Sequence, residues 1–113
     1  MGWWDRLRRR RRRSGSGRAD GPDMAIDTGT VRAYLAEFAR SRRGVEAYVE
    51  PATNLTATTV VLVAHDGEWT RRAVPSKQAA FEFARALGIP VYDVHLTGYP
   101  RRMREWTSRQ RRR

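Results

Sequence analysis

Apolar residues recur at helical spacing, then alternate, then recur at helical spacing again. Val31, Tyr34, Leu35, Phe38 and Ala39 fall at i, i+3, i+4, i+7 and i+8, one apolar stripe that predicts an amphipathic helix. Thr28 or Thr30 is placed to cap its start, Arg40, Arg42 and Arg43 suit its C-terminal dipole, and Gly44 can take the left-handed stop. Val45 to Glu50 alternates and ends at Pro51, which predicts a first strand. Thr58–Ala64 is a β-branched run suited to a central strand. Asp66-Gly67 then supplies the positive φ angles of a two-residue hairpin turn into Glu68–Val74. That turn pairs Ala64 with Trp69, so Trp69 is expected on the face of Val60 and Leu62, with Val61, Val63 and Val74 on the other. Both faces are apolar, so cover on more than one side is expected.

Ser76 after Pro75 opens a second helix whose face is Ala80, Phe83, Ala84 and Leu87; Gly88 stops it and Pro90 forbids continuation. Val91–Leu96 reads as a last strand. A strand, a helix and a strand in so short a span make a crossover, so strands three and four should run parallel. The expected architecture is α+β: a small two-layer domain, order α-β-β-β-α-β, with a mixed four-stranded sheet over residues 28–99. Residues 1–27, with Gly, Ser, Asp and Pro from Ser14 to Asp27, read as a disordered basic arm and linker. Residues 100–113 read as a basic segment, partly helical and then disordered, with Met103 and Trp106 one turn apart to dock on the core.

Charge sharpens that division. Residues 1–18 carry eight Arg against Asp5, a balance of +7, and residues 101–113 carry seven Arg against Glu105, a balance of +6. The middle is at −2, within a chain of net +11. The basicity therefore belongs to the ends and not to the central fold. Arg outnumbers Lys by 22 to one, but the ratio is also high in the non-basic middle, so it reports codon composition as much as a phosphate preference. The chain has no Cys, which removes disulfides and thiolate metal sites. No apolar run approaches a transmembrane span; Val60–Ala64 is the best. Ser14-Gly15-Ser16-Gly17 stands where a signal peptide needs its apolar stretch, so the expectation is a cytoplasmic protein. The sequon Asn54-Leu55-Thr56 has no meaning there.

Two resemblances follow from particular residues. The order of elements across residues 28–88, with Ser76-Lys77-Gln78-Ala79-Ala80 at the start of its second helix, resembles double-stranded-RNA-binding domains. Only Lys77 stands for that family's Lys-rich helix start, the folded region is net acidic and a fourth strand follows. Gly44-Val45-Glu46-Ala47-Tyr48-Val49-Glu50-Pro51, Asp66-Gly67-Glu68-Trp69-Thr70-Arg71-Arg72, Gly88-Ile89-Pro90-Val91-Tyr92-Asp93-Val94 and Tyr99-Pro100-Arg101-Arg102-Met103 are similar to segments of a family of short uncharacterised actinobacterial proteins. Some of these are named oxidoreductases; the resemblance implies a soluble cytosolic family and supplies no site.

Candidate chemistry is concentrated in the ends. Trp3, Trp4 and Leu7 cluster on a helical projection beside Arg8, Arg9, Arg10, Arg11, Arg12 and Arg13, the pattern of an interfacial anchor on anionic membrane. The same arginines, with Arg101, Arg102 and Arg104, suit RNA or the ribosome through sequence-independent phosphate contacts. Solvated, solubilising flanks are the plain alternative. Enzymatic signals are thin: His95 and Asp93 lie two apart on the expected last strand and could join Glu46 or Glu50 in an acid/base cluster. No Walker loop, nucleophile elbow or G-x-G-x-x-G follows a strand, so no cofactor and no metal is expected.

Overall fold

The computed structural model describes residues 27–112. The elements are α1 (Thr28–Ser41), β1 (Glu46–Glu50), β2 (Thr59–Val63), β3 (Trp69–Ala73), α2 (Lys77–Leu87), β4 (Val91–Asp93), α3 (Val94–Thr97) and α4 (Arg101–Arg111). The α+β class, the order α-β-β-β-α-β and the mixed four-stranded sheet are those that the pattern predicts. Strand order is β3-β2-β1-β4. β1 pairs antiparallel with β2 and parallel with β4, and β2 pairs antiparallel with β3. β3 and β4 thus run in the same direction from opposite edges, with α2 crossing between them.

Local chemistry accounts for most of the boundaries. Ser76 accepts from the Ala79 N–H at 3.0 Å, and Gly88 closes α2 at φ +74°. At α1 the cap is Asp27 and not Thr28 or Thr30: its carboxylate accepts from the Thr30 N–H at 3.1 Å and the Thr30 hydroxyl at 2.9 Å. A carboxylate one residue earlier satisfies two donors, and Thr28 is left to be buried.

One sequence expectation shifts by a residue. Ala64 accepts from the Gly67 N–H at 2.9 Å and donates to the Glu68 carbonyl at 2.8 Å, so the hairpin loop is His65-Asp66-Gly67, with Gly67 at φ +96°. Three-residue loops of this kind place their glycine in the positive-φ position. Val63, and not Ala64, therefore faces Trp69. A slip of one residue exchanges the faces of a strand. Trp69 joins Val61 and Val63, while Val74 joins Val60, Leu62 and Ala64.

The larger core lies between the sheet and the helices α1 and α2: Leu35, Phe38, Ala47, Val49, Val60, Leu62, Ala80, Phe83 and Ala84 are all nearly inaccessible. Tyr34, at the edge of this layer, instead reaches Thr70 with its hydroxyl at 2.8 Å. On the opposite face Tyr48, Val61, Val63, Val94 and Met103 form a second cluster, flanked by Trp69 and Tyr92. Met103 belongs to α4, so the basic C-terminal segment is helical as far as Arg111 and packs on the sheet. The Trp69 indole donates to the Thr107 hydroxyl at 2.9 Å, and Arg109 donates to the Asp66 carbonyl at 2.9 Å. The contact is closest at Gly67, where a Cβ would lie 2.0 Å from the Arg102 carbonyl oxygen.

Candidate functional site: a basic helix beside a tyrosine-lined cleft

The apolar and polar faces of α4 divide cleanly. Met103, Trp106, Thr107 and Gln110 turn toward the protein, while Arg101, Arg104, Arg109, Arg111 and Arg112 are exposed, with Glu105 the one acid in the helix. Projected at 100° per residue, Arg104 and Arg111 line one side of the outward face and Arg109 the other, with Arg101 and Arg112 between them. Arg102 is different. It donates through Nη2 to Glu46 at 2.8 Å and through Nε to the Ala64 carbonyl at 2.9 Å, so it clamps the helix to β1 and β2.

Elsewhere the cations are mostly committed. Arg42 pairs with Glu68 at 2.8 Å and lies over the Phe38 ring; Arg71 pairs with Glu50 at 2.8 Å and lies near the Trp69 ring. Arg72 covers Tyr34, Arg85 approaches Phe81, Arg40 pairs with Glu37 and Lys77 with Asp93. The outward face of α4 is thus the densest set of cations without a carboxylate partner among the described residues. Trp3, Trp4, Leu7 and Arg8–Arg13 lie outside the described residues.

His95 and Asp93 do not share a strand face. β4 ends at Asp93, and the chain turns at once into α3, where the Asp93 carboxylate accepts from the His95 backbone N–H at 2.8 Å. The short helix replaces the strand because Asp93 is a good cap, and Gly98 stops it after four residues. Lys77, at 2.8 Å, and that N–H hold Asp93 below the usual carboxylate range. The His95 side chain is exposed and lines a different hollow.

That hollow is a cleft of about 470 Å³, because α4 covers only the hairpin end of this sheet face. Its floor is Glu50, Thr59 and Arg71. Its walls are the β1–β2 loop, with Thr53, Thr56 and Ala57, and the segment carrying Val94, His95 and Tyr99. A smaller depression of about 140 Å³, lined by Glu46, Tyr48, Tyr92 and Tyr99 among others, shares Tyr99 with it. Glu50 brings the floor together. Arg71 donates to both its oxygens at 2.8 and 2.9 Å, and the Thr59 and Tyr99 hydroxyls donate as well. Burial pushes the Glu50 pKa up, but these donors outweigh it and leave the group below the usual carboxylate range. Glu46 balances in the same way: burial raises it, and Arg102 and Tyr48 bring it below. Burial, reinforced by the bond to Glu46, pushes the Tyr48 phenol up to about 12.

Such a site holds charges in place. Glu50 has four donors and lies below the usual carboxylate range, so it stands in a held ion pair with Arg71 in the cleft that His95 also lines. Sequence reading missed Tyr99, whose partner Glu50 is 49 residues away and carries no local signal. It took the arginines of residues 101–113 as one basic stretch and did not separate the exposed Arg109, Arg111 and Arg112 from the clamping Arg102. No family model, curated protein or solved structure matches this chain.

Proposed function

We propose that this protein is a cytosolic interaction module that binds RNA, free or within the ribosome, without reading its sequence. The observation that supports this is the outward face of α4, where Arg101, Arg104, Arg109, Arg111 and Arg112 are exposed on a helix anchored by Met103 and Arg102. A docked helix presents its guanidinium groups with less ordering entropy to lose than a free tail, and Arg pairs with phosphate through two N–H groups at once. Arg8–Arg13 add further phosphate contacts.

The test is RNA binding by the full chain, followed by fluorescence anisotropy across a range of salt. Replacing Arg101, Arg104, Arg111 and Arg112 with Gln should reduce the slope of log affinity against log salt by about 3, at roughly 0.7–0.9 per phosphate contact. An unchanged slope, or wild-type binding that ignores salt, would refute the reading. Anionic vesicles form the parallel arm: tight vesicle binding without RNA binding, lost on Trp3→Ala/Trp4→Ala, would transfer the function to a membrane surface.

A further inference from the structure

Resting on that RNA reading and narrowing it, we infer that Tyr99 is a stacking platform for single-stranded RNA, with bases entering the two hollows that it lines. Size is the first ground. The larger cleft, at about 470 Å³, lies within the roughly 300–1,000 Å³ of small-molecule sites. The smaller, at about 140 Å³, compares with the roughly 150 Å³ cavity that accepts one benzene-sized ring. Tyr99 lines both, so it is the residue they share.

Chemistry is the second ground. The rings of Tyr48, Tyr92 and Tyr99 surround the smaller hollow, with Tyr48 and Tyr92 5.4 Å apart between centroids, and His95 and Tyr99 stand at the larger. Stacking on such rings tolerates any base, which fits a protein that reads no sequence. Charge decides which part of a nucleotide goes where. The cleft floor is an ion pair already neutralised, Glu50 with Arg71, so it gives a phosphate no unpaired cation and a neutral base no penalty. Cations without such a partner begin two residues beyond Tyr99, at Arg101, and continue one turn later at Arg104. With bases in the hollows, the proposed strand would pass its phosphates to Arg101 first.

Preorganisation is the third ground. The Tyr99 hydroxyl donates to Glu50, which Arg71 and Thr59 also hold, so the ring is fixed while 40% of the residue remains exposed. A duplex cannot use the site, because its bases are stacked on one another and their edges face a groove.

The experiment compares the full chain binding a 15-nucleotide oligouridine, the same length of DNA, and a duplex RNA of that length, at one salt concentration. The expected result is tighter binding of the single strands than of the duplex. Tyr99→Ala should weaken only single-strand binding, by about 5- to 150-fold for one stacked base, and Tyr99→Phe, which keeps the ring but loses the bond to Glu50, should fall between the two. RNA tighter than DNA would assign the 2′-hydroxyl a role; equal affinity supports stacking alone. Crosslinking of 4-thiouridine RNA to the wild-type protein is independent of whether any variant folds, and should label Tyr99, Tyr92 or His95. Equal binding of duplex and single strand, with label confined to α4, would overturn the stacking site and leave the phosphate-binding helix standing. No RNA binding of any kind would overturn both.

Discussion

Gly67→Ala is the most direct test of whether α4 belongs to the fold. Two costs combine at that position. The backbone sits at φ +96°, which a residue with a Cβ adopts at a cost of about 1–3 kcal/mol. The added Cβ would also fall 2.0 Å from the Arg102 carbonyl oxygen and 2.8 Å from the Trp106 Cβ, and neither is the free end of a flexible chain. The helix must therefore lift from the hairpin, giving up part of the burial of Met103, worth about 1.5–3 kcal/mol when complete. With that burial lost, the sum is about 2.5–6 kcal/mol. Gly88 provides the control: φ is +74°, nothing lies within 4 Å of its Cβ position, and alanine there meets the conformational cost alone. In a domain of this size each kcal/mol moves Tm by about 4–8 °C. Gly67→Ala should melt at least about 6 °C below Gly88→Ala, the lower end of that burial at the lower end of that scale. The Trp69 indole N–H, bonded to Thr107 at 2.9 Å, should lose its protection from exchange only in the first variant. Equal melting points with that proton protected in both would refute the docking of α4.

Two further outcomes follow from the same packing and from the held carboxylates. Met103→Ala should destabilise the chain by about 2–4 kcal/mol, while Arg104→Ala on the outward face should change thermal stability by less than about 0.5 kcal/mol and act on RNA affinity instead. Glu46 and Glu50 have folded-state pKa values below their unfolded ones, so their contribution is present at neutral pH and is lost as pH falls through the folded values. Thermal melts from pH 7 to pH 3 should show a steeper acid decline in wild type than in Glu46→Gln/Glu50→Gln, and parallel declines would exclude the linkage.

What could be read from the sequence depended on whether a residue's partner was local. The stripe from Val31 to Ala39, the Ser76 cap and the Gly88 stop are local signals, and each is found where the pattern puts it. The hairpin register is different. β2 is apolar on both faces, so the alternation in Thr59–Val63 does not prefer one pairing over its neighbour, and Asp66-Gly67 serves a two- or a three-residue loop equally well. The choice is made by contacts beyond the hairpin, where Met103 and Thr107 give Trp69 neighbours on the second face. Asp93 and His95 were misplaced because alternation continues formally through Val94, while capping chemistry ends the strand. The docking of Met103 was legible from its spacing to Trp106. The clamp made by Arg102 was not, since in sequence it is one arginine among seven.

The partnership of β1 with β4 bears on the order in which this protein assembles. β1 meets β2 through a short loop, but Ala47 meets Val91 across 44 residues. The local hairpins have little loop-closure entropy to overcome and can form first. The parallel edge, α3 and α4 must wait for the whole crossover. Elements that join last by few contacts are also those that open most readily in the native state. The wall of the cleft that carries Val94, His95 and Tyr99 therefore sits at the edge of the molecule that assembles last.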